Sequence, residues 1–164
     1  FALVRGLGDV YKRQNKELLR FFKKCIKLRK EHPVFRRHDF FTPENSADLT
    51  GWESDINWQS LQPETEDWSS DCHTLAFLLR GRGEDGRKDD DFFVMLNGDR
   101  SNSATFTIPP PPGRRKIWRQ IIDTARKSPF DFPPPSRGAK RQAGDTVQVK
   151  AMAVSVLQSV NNLP

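Results

Sequence analysis

Two short apolar runs and the polar segment between them limit most strongly what this chain can fold into. Residues 74–79 (TLAFLL) and 92–97 (FFVMLN) are almost wholly apolar, whereas residues 80–91 (RGRGEDGRKDDD) hold almost no apolar side chain. Apolar runs of this length, bounded by glycine and charge, are typical of strands that are buried on both faces. Such strands need a second layer over them. We therefore predict two neighbouring antiparallel strands at the centre of a sheet.

The remaining strand-like segments are short and are separated by turn-rich loops. They are residues 55–58 (DINW), 104–108 (ATFTI), 117–122 (IWRQII), 146–149 and 154–157. Residues 104–108 alternate with the period of a strand, and the prolines at 109–112 end the pattern because proline cannot donate to a strand ladder. This arrangement predicts a mainly β fold, an antiparallel β-sandwich preceded by one α-helix.

Residues 15–31 form the one clear helical pattern. Its apolar positions are Leu18, Phe21, Phe22, Cys25, Ile26 and Leu28, and lysine and arginine occupy the other face. We predict Asn15 as the N-cap, and we expect Pro33 to end the helix because the residue before a proline is pushed out of the α region. So apolar a face indicates either a helix that docks onto another surface or the last helix of a preceding domain.

Residues 1–14 (FALVRGLGDVYKRQ) show no clear period and do not join naturally to the helical pattern that begins at Asn15. They resemble translated adapter sequence, so we exclude them from the fold argument. We expect the natural protein to continue upstream of Asn15.

Length and charge exclude several classes of protein. The 164 residues are enough for one domain with a real core. The net charge of +6 raises the question of nucleic acid, but the basic residues are spread along the chain and interleaved with 21 acids, so we expect no nucleic-acid partner. No run approaches the roughly 18 apolar residues of a membrane span, so we expect no membrane partner. With two distant cysteines, Cys25 and Cys72, a reduced cytoplasmic setting is expected.

The titratable side chains show no pattern that is typical of a catalytic or metal site. The acids lie in predicted loops, and the run at residues 89–91 next to Gly86 indicates a solvated hairpin loop. The cysteines and histidines lack the close pairs of zinc sites. These positions are Cys25, Cys72, His32, His38 and His73. We therefore predict no catalytic residue, no metal site and no cofactor.

Aromatic side chains are the remaining candidates for binding, because sugar rings stack on exposed tryptophan. Trp58 and Trp118 lie inside strand patterns, which favours a core or interface position. Trp52 and Trp68 lie in predicted loops, so a stand-alone carbohydrate-binding module remains an alternative. Phe40 and Phe41 are predicted to form an apolar anchor in the irregular segment.

Five stretches carry a family resemblance. They are residues 19–37 (LRFFKKCIKLRKEHPVFRR), 55–58 (DINW), 67–69 (DWS), 75–77 (LAF) and 118–131 (WRQIIDTARKSPFD). In order and spacing they resemble the C-terminal end of isoamylase-type glycogen and starch debranching enzymes, which belong to the α-amylase superfamily of glycoside hydrolases. The resemblance extends from about Lys16 to the end of the chain.

The resemblance implies a division of the chain. Residues 15–33 correspond to the last helix of a truncated catalytic (β/α)8 barrel, and residues 34–164 to a C-terminal β-sandwich that stabilises the barrel and borders its glucan site. In such barrels the catalytic side chains lie at the carboxyl ends of earlier strands. The family's nucleophilic Asp, acid/base Glu and stabilising Asp therefore have no counterpart here, and this chain alone is expected to be inactive.

For the intact enzyme, the resemblance implies retaining hydrolysis of α-1,6 branch linkages in glycogen or starch. Branched α-glucan is the implied partner. The chain departs from the family pattern at Gln59, where the family places His, and at Met152 and Ala153, where it places an Arg-Ser pair. These departures concern the subgroup and the roles of those positions.

Overall fold

The computed structural model describes residues 2–38, 40–41, 54–81, 88–112 and 116–161, and the side chains of its helix from Asn15 onward. This part of the chain forms one α-helix, two 3-10 turns and eight strands. They are α1 (Ala2–Glu31), the turns Pro33–Arg36 and Pro135–Arg137, β1 (Ile56–Gln59), β2 (Thr74–Leu79), β3 (Phe92–Asn97), β4 (Ala104–Thr107), β5 (Lys116–Asp123), β6 (Lys140–Arg141), β7 (Thr146–Val149) and β8 (Ala153–Asn161).

The strands form two antiparallel sheets. The larger has six strands in the order β1-β2-β3-β8-β5-β6, and the smaller pairs β4 with β7. Every described pairing is antiparallel. The smaller sheet covers one face of the larger sheet, and α1 covers part of the other face. The predicted fold class, an antiparallel β-sandwich preceded by a helix, is confirmed.

The two predicted central strands are β2 and β3, with the predicted bounds. They pair antiparallel from Thr74 opposite Asn97 to Leu79 opposite Phe92. Every residue of β3 except Leu96 is buried. A continuous apolar run is needed there because successive side chains of a strand point to opposite faces, and both faces of β3 are covered.

The side chains of β3 point alternately to the two faces of the sheet and belong to two separate apolar clusters. Phe93 and Met95 pack between the two sheets, in the inner cluster with Phe106, Trp118 and Leu157. Phe92 and Val94 point the other way, into the outer cluster beneath α1. The other fully or largely buried members of the outer cluster include Val34, Ile121, Ile122, Phe132 and Val156. The sheet is therefore shared by two cores.

The helix begins earlier than the sequence predicts. It starts at Ala2 and runs through Asn15, so Asn15 lies in the helix interior and is not its N-cap. The predicted C-terminal limit is confirmed, since the helix ends at Glu31 and a 3-10 turn begins at Pro33. The helix crosses the predicted division at residue 14, and the three domain ranges remain predictions.

The prediction that Phe40 and Phe41 form an apolar anchor is confirmed for Phe41 and wrong for Phe40. Phe41 packs against the outer cluster, and its ring lies 5.1 Å from the guanidinium carbon of Arg37. Phe40 is 98% exposed. Of the two neighbouring side chains, only that of Phe41 packs against the outer cluster.

Candidate functional site

Asp89 connects the end of α1 to the loop before β3. Its Oδ1 lies 2.6 Å from Nδ1 of His32, and its Oδ2 accepts a hydrogen bond of 3.1 Å from the backbone N–H of Val34. The side chains of His32 and Asp89 are 14% and 7% exposed. Buried charge is retained where partners surround it, and here they join two elements that are distant in sequence.

The next two aspartates are held in the same way. Asp91 is buried and accepts hydrogen bonds from the Nζ of Lys116 at 2.7 Å, the Oγ of Ser159 at 3.0 Å and the backbone N–H of Gly81 at 2.9 Å. Oδ2 of Asp90 accepts a bond of 2.7 Å from the amide of Gln158.

The prediction of a solvated loop at residues 89–91 is therefore wrong. The run of charges in the sequence does not reveal that donors from several distant elements converge on it. Gly86, Glu84 and Asp85, which belong to the same predicted loop, lie outside the described residues.

The basic side of α1 is tied to the proline-rich segment after β5. Nη2 of Arg20 donates to both carboxylate oxygens of Asp131, and Nζ of Lys24 donates to the backbone carbonyl of Phe132. Burial is the main cause that lowers the pKa of Lys24, with the charge of Arg20 adding to it and that of Asp131 opposing it. These contacts fix how α1 lies on the sheet.

The apolar face of α1 divides into a packed part and an exposed part. Phe21, Cys25 and Leu28 pack against the outer cluster. Four neighbouring apolar side chains are each more than half exposed. They are Leu18, Leu19, Phe22 and Ile26, which we call the helix stripe. Because an α-helix turns by about 100° per residue, Phe22 lies beside Phe21 and points away from the sheet below it.

An apolar cavity of about 730 Å³, the outer groove, lies beside α1 on the same face of the larger sheet, over the part of that face that α1 does not cover. Its lining residues are Leu28, Val34, Phe35, Arg37, Phe40, Phe41, Ile56, Trp58, Phe77, Leu79, Val94, Ile122 and Val156. Arg37 is the only charged residue among them, and its Nη1 lies 2.6 Å from Oδ2 of Asp55. The groove is therefore almost wholly apolar.

The helix stripe and the outer groove lie on the same side of α1. Around the helix axis, Arg29 lies about 20° from Phe22. Nε of Arg29 donates a bond of 3.2 Å to the carbonyl of Phe35, which lines the groove. Together the two features form an apolar corner with α1 as its wall and the sheet as its floor. Apolar surface of this kind marks an interaction site more often than it marks bare protein surface.

The four tryptophans lie in different environments. Trp118 is fully buried in the inner cluster, as predicted, and its Nε1 donates a hydrogen bond of 2.8 Å to the carbonyl of Pro109. Trp58 is half-buried at the edge strand β1, between Phe77 and Trp68. Trp68 is exposed, and Trp52 lies outside the described residues.

The predicted cysteine and histidine candidates are scattered. Cys25 and Cys72 are free thiols, and burial is the main cause that raises the pKa of Cys25. His73 contacts the carbonyl of Asp71 at 2.6 Å. Within the described residues, no group of three or more His, Cys, Asp or Glu side chains is placed to hold a metal ion. In the same part of the chain, no helix combines the length and apolarity that crossing a bilayer requires.

The three departures from the family pattern lie in two places. Gln59 is buried at the end of β1. Met152 is exposed in the turn before β8 with a φ of 52°, and Ala153 is the buried first residue of that strand.

The sequence signal that could have predicted the apolar corner is the number of apolar positions on α1. These positions cover more of the helix circumference than contact with one sheet needs.

Comparison with known proteins identifies the family. The family described as "Isoamylase 1-3, C-terminal" matches residues 57–161. Isoamylase SU1, chloroplastic, of Zea mays is 27% identical over 126 residues, and Isoamylase 1, chloroplastic, of Arabidopsis thaliana is 29% identical over 124 residues. These alignments cover 76% and 75% of this chain but 13% of each relative. The match spans every strand of the sandwich apart from the first residue of β1, and the chain belongs to the isoamylase C-terminal domain family.

Proposed function

We propose that this chain is the non-catalytic C-terminal part of an enzyme that hydrolyses α-1,6 branch linkages in glycogen or starch. The observation that carries the proposal is the family match over residues 57–161 in a chain that spans 13% of the length of its isoamylase relatives. Retaining hydrolysis needs two carboxyl groups close together across the scissile bond. We assign those groups to the remaining, larger part of the enzyme.

The use of the acidic side chains supports a non-catalytic role. Asp89 and Asp91 are largely buried, and their carboxylate oxygens accept hydrogen bonds that join the segment just after α1, β5 and β8 to the loop before β3. A catalytic carboxylate has to reach the substrate. Carboxylates that are enclosed by structural donors are poorly suited to that task.

The apolar corner supports an attachment role for α1. A helix that served only to cover this sheet would need one apolar face, but α1 carries an additional apolar surface in the helix stripe. We assign this stripe, as the wall of the corner, to contact with the catalytic barrel. The sandwich would then stabilise the barrel through burial of apolar surface, at about 25 cal/mol for each Å² removed from water.

Two measurements test the proposal. The purified 164-residue chain is incubated with glycogen, and linear maltooligosaccharides are assayed, with maize Isoamylase SU1 as the positive control. We expect no release by this chain. Release of linear chains would contradict the non-catalytic assignment.

The second measurement is the DNA sequence upstream of the Asn15 codon. We expect it to encode a (β/α) barrel that carries the nucleophilic Asp, the acid/base Glu and the stabilising Asp. An upstream region that encodes a different kind of domain would contradict the assignment to a debranching enzyme.

A further inference from the structure

Trp68 is exposed, yet its ring is held in place. The side chain is 64% exposed in the connection between β1 and β2. Its Nε1 donates a hydrogen bond of 2.6 Å to Oε2 of Glu66. Its ring centroid lies 5.8 Å from that of Trp58, with an angle of 71° between the ring planes. An indole that is fixed before binding loses little conformational entropy when a ligand arrives.

The loop that carries Trp68 is itself ordered by short-range hydrogen bonds. Oδ1 of Asp67 accepts from the backbone N–H of Ser69 at 3.0 Å and from its hydroxyl at 2.7 Å. These hydrogen bonds lower the pKa of Asp67, so its carboxylate is ionised at neutral pH. The carbonyl of Ser69 in turn accepts a bond of 3.1 Å from the N–H of Cys72.

The charges around Trp68 restrict the ligand. The connection between β1 and β2, residues 60–73, holds four acids and no lysine or arginine, in a chain with a net charge of +6. The acids are Glu64, Glu66, Asp67 and Asp71. Carboxylates repel anions but accept hydrogen bonds from hydroxyl groups. The negative faces of aromatic rings attract the positively polarised C–H groups on the apolar face of a sugar.

We propose that Trp68, Trp58 and Glu66 form a subsite for a neutral pyranose ring. One apolar face of the sugar packs on the indole of Trp68, and its hydroxyl groups donate to the carboxylates of the same loop. The choice of α-linked glucan among neutral sugars rests on the proposed function. Trp68 belongs neither to the helix stripe, which is assigned to contact with the catalytic barrel, nor to the lining of the outer groove, which includes Trp58.

The test is titration of the purified 164-residue chain with maltoheptaose, followed by saturation-transfer NMR and calorimetry. A single subsite for a small ligand gives a dissociation constant on the order of millimolar. Trp68→Ala is expected to weaken binding about tenfold or more, and Trp68→Phe, which keeps an aromatic face, is expected to weaken it less. Far-UV circular dichroism checks that each variant is folded.

Phe130 provides a matched control. It is 65% exposed against 64% for Trp68, and it lies in the proline-rich segment after β5. Phe130→Ala is expected to leave binding unchanged, because no described ring contact holds the ring of Phe130 and the neighbouring acid, Asp131, is already paired with Arg20. Equal effects of the Phe130→Ala and Trp68→Ala changes, or binding of neither maltoheptaose nor cellohexaose by the unchanged chain, would overturn the subsite.

Two further ligands separate the subsite from the proposed function. Binding of cellohexaose but not maltoheptaose, with the same loss in Trp68→Ala, would support a pyranose subsite while contradicting the choice of α-glucan. Tetramethylammonium tests the alternative that an aromatic ring among acids selects a cation. Displacement of the sugar by low tetramethylammonium concentrations, with tighter binding than that of maltoheptaose, would overturn the proposal.

Discussion

At the scale of single residues, several buried side chains of this domain have specific hydrogen-bond partners in distant parts of the chain. Trp118 combines full burial in the inner cluster with a hydrogen bond to the carbonyl of Pro109. The aspartates at 89–91 accept hydrogen bonds from backbone and side-chain donors. When one partner is removed, the other is left buried without a hydrogen bond. The resulting loss of unfolding free energy is larger than the net contribution of the hydrogen bond to stability.

Trp118→Phe tests this asymmetry. The change removes the donor to Pro109 and leaves a buried carbonyl unsatisfied, so we expect the free energy of unfolding to fall by about 1–3 kcal/mol. Urea denaturation of the whole chain measures it. The matched control is Trp68→Phe at an exposed position, where we expect a change within about 0.5 kcal/mol. Equal losses in the two variants would contradict the assignment of Trp118 to the core.

Asp99→Asn tests the pH dependence of stability. Hydrogen bonds from the backbone N–H of Ser101, and then of Asn102, hold the pKa of Asp99 below its ordinary value of 3.8. A depressed pKa contributes stability that is present above the pKa of the unfolded chain and is lost as pH falls through the folded pKa. We therefore expect unfolding midpoints to fall less steeply below about pH 4 in Asp99→Asn than in the unchanged chain. The melting temperature of both proteins is measured from pH 5 to about pH 2. The same dependence of the melting temperature on pH in the variant and the unchanged chain would contradict this prediction.

At the scale of elements, α1 has two apolar surfaces, one packed against the sheet and one exposed. Phe21 faces the sheet and contacts the ring of Phe132 edge-on, with the centroids 5.7 Å apart. Phe22, the next residue, is more than half exposed. Polar contacts at Arg20, Lys24 and His32 fix the rotation of the helix, so the position of the exposed surface is set by the way the packed surface is held.

Neighbouring phenylalanines on α1 provide the test. In the 164-residue chain, Phe21→Ala is expected to cost about 2 kcal/mol of unfolding free energy because a half-buried ring leaves the outer cluster. Phe22→Ala is expected to stay within about 0.5 kcal/mol. Chemical denaturation of both variants measures these values.

The same pair separates the isolated chain from the enzyme to which we assign it. In the complete enzyme, Phe22→Ala is expected to cost about 1.5–3 kcal/mol, since the ring would be buried against the barrel. An effect of Phe22→Ala that is equally small in both proteins would contradict the attachment role of the helix stripe.

At the scale of the whole molecule, β8 is the element that unites the fold. It is the longest of the described strands, and it pairs with β3 on one side and with β5 on the other. Its side chains enter both clusters, with Leu157 in the inner one and Val156 in the outer one. Loss of β8 would therefore open the sheet at its centre and expose both cores at once.

Truncation at the two ends tests this view. Removal of residues 153–164 is expected to abolish the cooperative thermal transition in far-UV circular dichroism, because β3 and β5 both lose their shared partner. Removal of residues 1–14 is expected to shift the melting temperature by less than about 3 °C, because it leaves in place Phe21, Cys25 and Leu28, which pack α1 against the outer cluster. A large shift in the second variant would contradict the prediction that these residues are extraneous to the fold.

The sequence by itself determined seven of the eight described strands, the antiparallel pairing of the two central ones and the family. Residues 74–79 and 92–97 specify β2 and β3 to the residue, because apolar runs that are buried on both faces have little alternative to a central strand. It missed β6, since Lys140 and Arg141 carry no apolar pattern, and it placed the start of the helix too late.

Only the tertiary structure decided which polar groups have hydrogen-bond partners and which apolar groups are packed against the sheet. The aspartates at 89–91 have the pattern of solvated charge, and only the folded chain brings His32, Lys116, Gln158 and Ser159 to them. Likewise, helical spacing gives Phe21 and Phe22 the same character, and the sheet selects one of them. The physical reason is that local periodicity records which faces a segment can bury, whereas contacts between distant segments determine which of those faces are covered.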